Sequence, residues 1–108
     1  MINEVWQSNA EFHTRFWGEP APLEAAILKD QEENSEVLKA AISESDWRLA
    51  CEMADRLYTS IGIMRSRGIP PQMFLDACQQ VVDKNNRKTL DNYHIGADGL
   101  VEKRNGAK

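Results

Sequence analysis

The sequence predicts an all-α protein: a small four-helix bundle-type domain over residues 1–108, with a mostly irregular tail over residues 89–108. Three observations favour this fold class. Apolar residues recur at helical spacing in four segments, and breaks rich in glycine, proline or serine separate the segments. No segment alternates apolar and polar residues over a useful length. A chain of 108 residues also fits one domain with a modest core.

The first two helices are separated by a break that contains one glycine and two prolines. Apolar residues at mixed helical spacings predict a short first helix from Ile2 to about Trp17. The following stretch WGEPAP, Trp17 to Pro22, cannot continue a helix. Helical spacing resumes from Leu23 to Ile42, and Ser43 or Ser45 is suited to cap the next helix.

The third helix has the clearest pattern and extends from Asp46 to about Arg67. Its predicted apolar stripe consists of Ala50, Met53, Ala54, Leu57, Ile61 and Met64. Gly68 suits a left-handed end, and Pro71 suits the first position of a fourth helix that fades near Lys88. Because the turn before the third helix is short, the second and third helices are expected to be antiparallel.

The composition excludes some classes of function. The formal net charge is −4 and the pI is near 5.1, so the field of the protein would repel a nucleic-acid polymer. No apolar run approaches the roughly 20 residues of a membrane span, and residues 1–20 lack a signal-peptide pattern. We therefore expect a cytoplasmic protein without a membrane partner. Cys51 and Cys78 lack CxxC spacing and are predicted to be small buried residues.

Two pairs of acidic residues lie on the second and third helices. Glu33 and Glu36 are three residues apart, as are Glu52 and Asp55, and this spacing puts each pair on one helical face. Four carboxylates that converge would repel one another unless a cation neutralised them. Oxygen ligands without Cys or His select Mg²⁺ or Mn²⁺. Spacing alone favours a simpler interpretation, solvated charges on the polar sides of both helices.

Further motifs accompany the acids. The sequence resembles the MazG-like all-α nucleoside triphosphate pyrophosphohydrolases, a group that includes dimeric dUTPases and phosphoribosyl-ATP pyrophosphohydrolases. The family hallmark E-x-x-E, a gap and E-x-x-D is matched by Glu33–Glu36 and Glu52–Asp55. NNRK at Asn85–Lys88 and DGLVEK at Asp98–Lys103 are similar to later family motifs, and FHTRFWGEP at Phe12–Pro20 is similar to the family's opening helix. Within DGLVEK, leucine stands where the family's tails usually have lysine.

The resemblance implies hydrolysis of a (deoxy)nucleoside triphosphate between its α and β phosphates, which yields a monophosphate and pyrophosphate. Mg²⁺, or Mn²⁺, would be held by Glu33, Glu36, Glu52 and Asp55. Glu33 or Glu36 would accept a proton from the attacking water. The expected phosphate contacts are Asn85 and Lys88, with Arg87 and Lys103 as weaker candidates.

His13 and Trp17, four residues apart at the end of the first helix, are the candidates for binding the base. An aromatic residue there more often serves packing, which is the favoured interpretation for Trp17, whereas His13 suits either role. A chain of this size would expose much apolar surface as a monomer. The family works as dimers or dimers of dimers, so a homo-oligomer is expected.

Three functions remain open. The leading one is house-cleaning hydrolysis of nucleoside triphosphates. Phosphoribosyl-ATP hydrolysis, as in histidine synthesis, ranks lower because the opening and tail motifs fit the house-cleaning members better. The third is a catalytically silent helical dimerisation module that keeps its acids for solubility.

Overall fold

The computed structural model describes residues 1–105 and is mainly helical. Its elements are α1 (Ile2–Trp17), α2 (Leu23–Ser43), α3 (Asp46–Ser66), α4 (Pro71–Asn86), β1 (Tyr93–Ile95) and β2 (Val101–Lys103). The predicted all-α fold class and its four helices are confirmed. None of the helices in residues 1–105 combines the length and apolarity that a membrane crossing needs. The chain divides into two compact units, Met1–Pro71 and Gln72–Lys108; one domain over residues 1–108 stays a prediction.

The helix ends follow from local chemistry. Gly18 and Gly68 have φ angles of +76° and +74°, a left-handed conformation that glycine adopts without a steric penalty, and they follow the ends of α1 and α3. At the start of α3, the Ser45 hydroxyl accepts a hydrogen bond from the Arg48 amide at 3.3 Å. Of the two serines considered as caps, Ser45 therefore has that role, and Ser43 is the last residue of α2.

Helices α2 and α3 form the predicted antiparallel pair. The Thr59 and Ser60 hydroxyls donate to Asp30 Oδ1, at 2.9 and 3.3 Å. Nearer the turn, Arg56 Nη1 donates to Asn34 Oδ1 at 2.5 Å. As positions advance along α2, their partners recede along α3, which fixes the register of the pair.

Helix α1 packs on the other end of α3. The Asn9 amide donates to the Tyr58 carbonyl oxygen at 3.2 Å, and the Ser8 and Tyr58 hydroxyls lie 3.3 Å apart. The Ser66 hydroxyl donates to the carbonyl oxygen of Ala21 at 2.6 Å, which holds the segment between α1 and α2 against α3. The buried apolar core of this unit consists of Trp6, Ala21, Ala26, Ala40 and Ile61.

The predicted apolar stripe of α3 is only partly buried. Ile61 is fully buried, whereas Met53 and Leu57 are exposed in the single chain. The polar residue Glu52 is buried instead, because the first half of α3 turns an acidic face toward α2. The expectation for the cysteines is also corrected: Cys78 is exposed and Cys51 is half-buried.

The second unit contains α4 and a short β-hairpin. Strands β1 and β2 are antiparallel, with Tyr93 opposite Lys103 and Ile95 opposite Val101. Gly99, with φ at +83°, lies in the connecting turn. The described part of the tail is mostly irregular, as predicted, but the hairpin was not predicted. Its strands are three residues long, too short to establish a period of two.

Candidate active site

Three acidic side chains meet where α2 faces α3. One carboxylate oxygen from each of Glu33, Glu52 and Asp55 lies within 4.8 Å of the others. Glu33 and Glu52 are only 9% and 7% exposed, and Asp55 is at the solvent edge. We call these three residues the acid cluster. The interpretation of all four motif acids as solvated surface charges is therefore wrong for Glu33 and Glu52.

Glu36, the fourth acid of the motif, is exposed on α2 and does not belong to the acid cluster. The face of α2 that α3 covers includes Ala26, Glu33 and Ala40, which are seven residues apart. Glu36 follows Glu33 by three residues and therefore lies at the border of that face, with its carboxylate directed to solvent.

A basic side chain stands beside each buried acid. Lys29 Nζ lies 3.3 Å from Glu33 Oε1, and Arg48 Nη2 donates to Glu52 Oε1 at 2.6 Å. The hydrogen bond to Glu33 is the main reason that the pKa of Lys29 is raised above its usual value. Each base is shared with a second acid, Glu32 at 3.6 Å from Lys29 and Glu44 at 3.8 Å from Arg48. Carboxylates thus outnumber the bases, and the site retains a net negative charge that favours a cation.

A pocket of about 110 Å³ opens next to the acid cluster. Lys29 connects the two sites, because it lines the pocket and also pairs with Glu33. The His13 and Trp17 rings meet edge to face with centroids 5.4 Å apart. The two candidate base-binding residues therefore lie in one pocket wall. The lining residues are Asn9, Phe12, His13, Trp17, Ala21, Ala25, Ala26, Lys29, Tyr58, Thr59 and Gly62.

His13 is held by contacts at one ring nitrogen. Its Nδ1 accepts a hydrogen bond from the Ala21 amide at 3.1 Å, and Arg65 Nη1 lies 3.3 Å from the same atom. Arg65 Nη1 also donates to Asn9 Oδ1 at 3.4 Å. Burial, and then the charge of Arg65, lower the pKa of His13 below its usual value of 6.5. The ring is therefore neutral at pH 7.

A family model, phosphoribosyl-ATP pyrophosphohydrolase, matches residues 11–82, about two thirds of the chain. The chain belongs to the phosphoribosyl-ATP pyrophosphohydrolase family. The resemblance to the MazG-like group is thereby confirmed, and membership supports a nucleotide pyrophosphohydrolase. No curated protein and no solved structure matches the chain.

The acid cluster and the pocket residues His13 and Trp17 lie inside the segment that matches the phosphoribosyl-ATP pyrophosphohydrolase family, and the four candidate phosphate contacts follow it. In the second unit, Asn85 and Lys88 line one open pocket of about 470 Å³. Lys88 also lies over the Tyr93 ring, with Nζ 5.3 Å from the centroid, and shares a neighbouring pocket with Arg87. Lys103 is exposed on β2 and lines neither pocket.

Several residues of the candidate active site were not predicted from the sequence. The spacing of four residues between Lys29 and Glu33, and between Arg48 and Glu52, is a signal that would have indicated both ion pairs. Asn9 and Arg65 gave no such signal, since their contact joins positions 56 residues apart.

Proposed function

We propose that the protein hydrolyses (deoxy)nucleoside triphosphates at the α–β phosphate bond, in a Mg²⁺-dependent reaction that yields a nucleoside monophosphate and pyrophosphate. The acid cluster carries the proposal. Burying two carboxylates beside a third is unfavourable unless positive charge compensates them. Lys29 and Arg48 compensate only in part, because each is shared with another acid. A house-cleaning or pool-control role would follow from this activity.

The residues present fit a magnesium ion. Mg²⁺ prefers oxygen ligands at about 2.0–2.1 Å, so two ligands on opposite sides of the ion lie about 4.2 Å apart. The acid cluster offers three oxygens within 4.8 Å of one another and has no Cys or His, so small side-chain movements would bring them to a shared ion. Mn²⁺ has the same ligand preference. Such an ion supplies charge neutralisation for the triphosphate and a lower pKa for bound water.

Proton transfer falls to the acids of α2. Glu36 lies outside the acid cluster and next to Glu33, so its oxygens are free to orient a water molecule and accept its proton. Glu33 is the alternative base, although its carboxylate is already engaged by Lys29. We therefore favour Glu36 as the base and Glu33, Glu52 and Asp55 as metal ligands.

The pocket of α1, α2 and α3 is the proposed site of the base. Its wall is largely apolar and aromatic, which suits the face of a flat ring, and Trp17 and His13 stand on it. We assign the phosphate oxygens to Asn85 and Lys88, with Arg87 and Lys103 as further contacts. This second assignment depends on the sequence motif alone.

A homo-oligomer, a dimer or a dimer of dimers, is part of the proposal. Apolar side chains of α2 and α3 remain exposed in the single chain, which favours a partner surface. They include Leu28, Leu38, Ile42, Trp47, Met53 and Leu57. Light scattering tests this point: a monomeric mass with full activity would contradict it.

A second candidate substrate is phosphoribosyl-ATP. The family match favours it, because the matching model carries that description. Both substrates present a triphosphate to the same acids, so the acid cluster does not distinguish them.

Product analysis separates these alternatives. The protein is incubated with Mg²⁺ and a panel of ribo- and deoxyribonucleoside triphosphates plus phosphoribosyl-ATP, and pyrophosphate is measured. The reaction is repeated in ¹⁸O-labelled water, and label in the monophosphate identifies attack at the α phosphorus. Turnover of phosphoribosyl-ATP alone would select the second candidate. No turnover of any substrate would indicate a silent helical module.

Substitutions assign the turnover to the acids. Glu52→Gln and Asp55→Asn remove the charge of proposed metal ligands at nearly constant shape, and Glu36→Gln removes the proposed base. All three are expected to abolish turnover while the helical circular dichroism remains. Glu24→Gln, an exposed acid in the first turn of α2, is the matched control and should keep activity. Equal activity in all four variants would refute the assignment.

A further inference from the structure

Beside the pocket lies a polar group that the proposed chemistry does not use. Asn9 and His13 on α1 are 2% and 5% exposed, and both contact Arg65 of α3. The Asn9 amide nitrogen is bonded to the Tyr58 carbonyl oxygen, so its oxygen must face the guanidinium. Arg65 is itself partly buried, and burial lowers its pKa. Buried polar residues joined in this way hold one another in fixed orientations.

The neighbours of His13 determine where its proton resides. Nδ1 faces the Ala21 amide at 3.1 Å and the Arg65 guanidinium at 3.3 Å. Both groups donate hydrogen bonds and neither can accept one. A proton on Nδ1 would therefore point at two N–H groups, whereas an unprotonated Nδ1 accepts hydrogen bonds from them. The proton of the neutral ring is placed on Nε2.

Nε2 is accessible from the pocket. Within residues 1–105, Nε2 has no hydrogen-bond partner. Every buried side-chain nitrogen or oxygen in these residues does have a partner, so Nε2 cannot be a buried atom. A Cβ built on Gly62, another pocket residue, would lie 3.5 Å from it. The pocket thus contains an N–H group that donates and cannot accept.

We propose that Arg65 is a positioning residue which, together with the Ala21 amide, fixes His13 as a hydrogen-bond donor at Nε2. The pocket then selects ligand rings whose inserted edge carries a carbonyl oxygen. Identifying such a ring as a nucleobase rests on the proposed function. Uracil and hypoxanthine carry a carbonyl where cytosine and adenine carry an amino group, and an amino group would place donor against donor. The pocket therefore prefers keto bases to their amino counterparts.

The charged and titratable groups around His13 favour the same state. Arg65 and Tyr58 face it from α3, and Lys29 lines the same pocket from α2. None of the pocket-lining residues is a carboxylate, so nothing on the pocket wall would stabilise an imidazolium.

The first test needs no substrate. Nitrogen-15 NMR of the full chain reports the tautomer and the titration of His13. We expect a neutral ring with its proton on Nε2 at pH 7. Arg65→Met should raise the pKa of His13 toward its ordinary value, while Arg67→Met, a nearby exposed arginine, should not. A proton on Nδ1 in the unmodified protein, or a titration that Arg65→Met leaves unchanged, would overturn the positioning role.

The second test measures selection. Binding of UMP is compared with CMP, and IMP with AMP, by isothermal titration calorimetry, since each pair differs at one keto or amino group. We expect the keto member to bind about tenfold more tightly, the factor that one gained hydrogen bond provides. Arg65→Met should reduce the ratio to below about threefold at pH 8, where the ring is neutral and its proton is free to move to Nδ1, and Arg67→Met should preserve it. Equal binding of both members, tighter binding of the amino members, or no binding of any would refute the selection.

The two proposals fail separately. Loss of pyrophosphate release with the NMR signature and the keto preference intact would contradict the hydrolase proposal alone. Full turnover with a His13 proton on Nδ1 would contradict the positioning role alone.

Discussion

Replacing Arg48 with glutamine should strengthen the binding of a divalent cation. Arg48 Nη2 donates to Glu52 Oε1 at 2.6 Å. A cation that binds Glu52 therefore either displaces the guanidinium or is repelled by its positive charge. The Arg48 side chain is 56% exposed, so solvent screens the pair and it is worth about 0.2–1 kcal/mol. Its removal should thus raise metal affinity by a factor of about 1.4 to 5.

The measurement is the affinity for Mn²⁺ in the absence of nucleotide, determined by electron paramagnetic resonance or calorimetry at low ionic strength. Arg67→Gln, an exposed arginine at the opposite end of α3 from Arg48, controls for the loss of one positive charge far from the acid cluster. The gain for Arg48→Gln should shrink as salt is added, because screening weakens exposed charge pairs. Unchanged or weaker Mn²⁺ binding in Arg48→Gln would refute the competition between Arg48 and the metal.

Three further predictions concern stability. Ile61→Ala should lower the free energy of unfolding by about 2–5 kcal/mol, because Ile61 is fully buried; urea denaturation measures this, and a loss below 1 kcal/mol would contradict it. Ser45→Ala should cost about 1 kcal/mol in the same assay through the lost cap of α3, whereas Ser45→Gly should cost only a few tenths. The pKa of His13 is lower in the folded chain, so the unfolded chain binds more protons at this residue as the pH falls below 6.5. The stability that the neutral His13 contributes is therefore lost as the pH falls from 6.5 through the folded-state pKa. The difference in unfolding free energy between the protein and His13→Gln should therefore change between pH 7.5 and 5.5, and a constant difference would contradict it.

Much of the fold could be predicted because local chemistry determines it. Glycines that tolerate positive φ follow α1 and α3, a serine caps α3, and a proline begins α4. These signals act within a few residues of the element they end or start, so a single sequence contains them in full. The short turn at Glu44 and Ser45 likewise requires α2 and α3 to be antiparallel.

The arrangement within the site depends on contacts that no local signal specifies. Spacing put Glu33 and Glu36 on one face of α2, but the rotation of that helix against α3 buries the first and exposes the second. The same rotation brings Glu52 inward and leaves Met53 exposed. An apolar stripe read along one helix cannot reveal that the facing helix presents acids.

The pocket shows the same limit over a longer distance. His13 and Trp17 were recognisable as candidates because aromatic and imidazole side chains are unusual enough to single out. Asn9 and Arg65 are common residue types, and their contact spans 56 positions. Their roles emerge only when α1 is packed on α3.

The most direct test of the central claim is anomalous diffraction from crystals of the protein grown with Mn²⁺. The acid cluster predicts one strong anomalous peak bounded by carboxylate oxygens of Glu33, Glu52 and Asp55, with Arg48 moved away from Glu52. A map without a peak there, with Glu33 still paired to Lys29 and Glu52 to Arg48, would contradict the claim that these acids hold a metal.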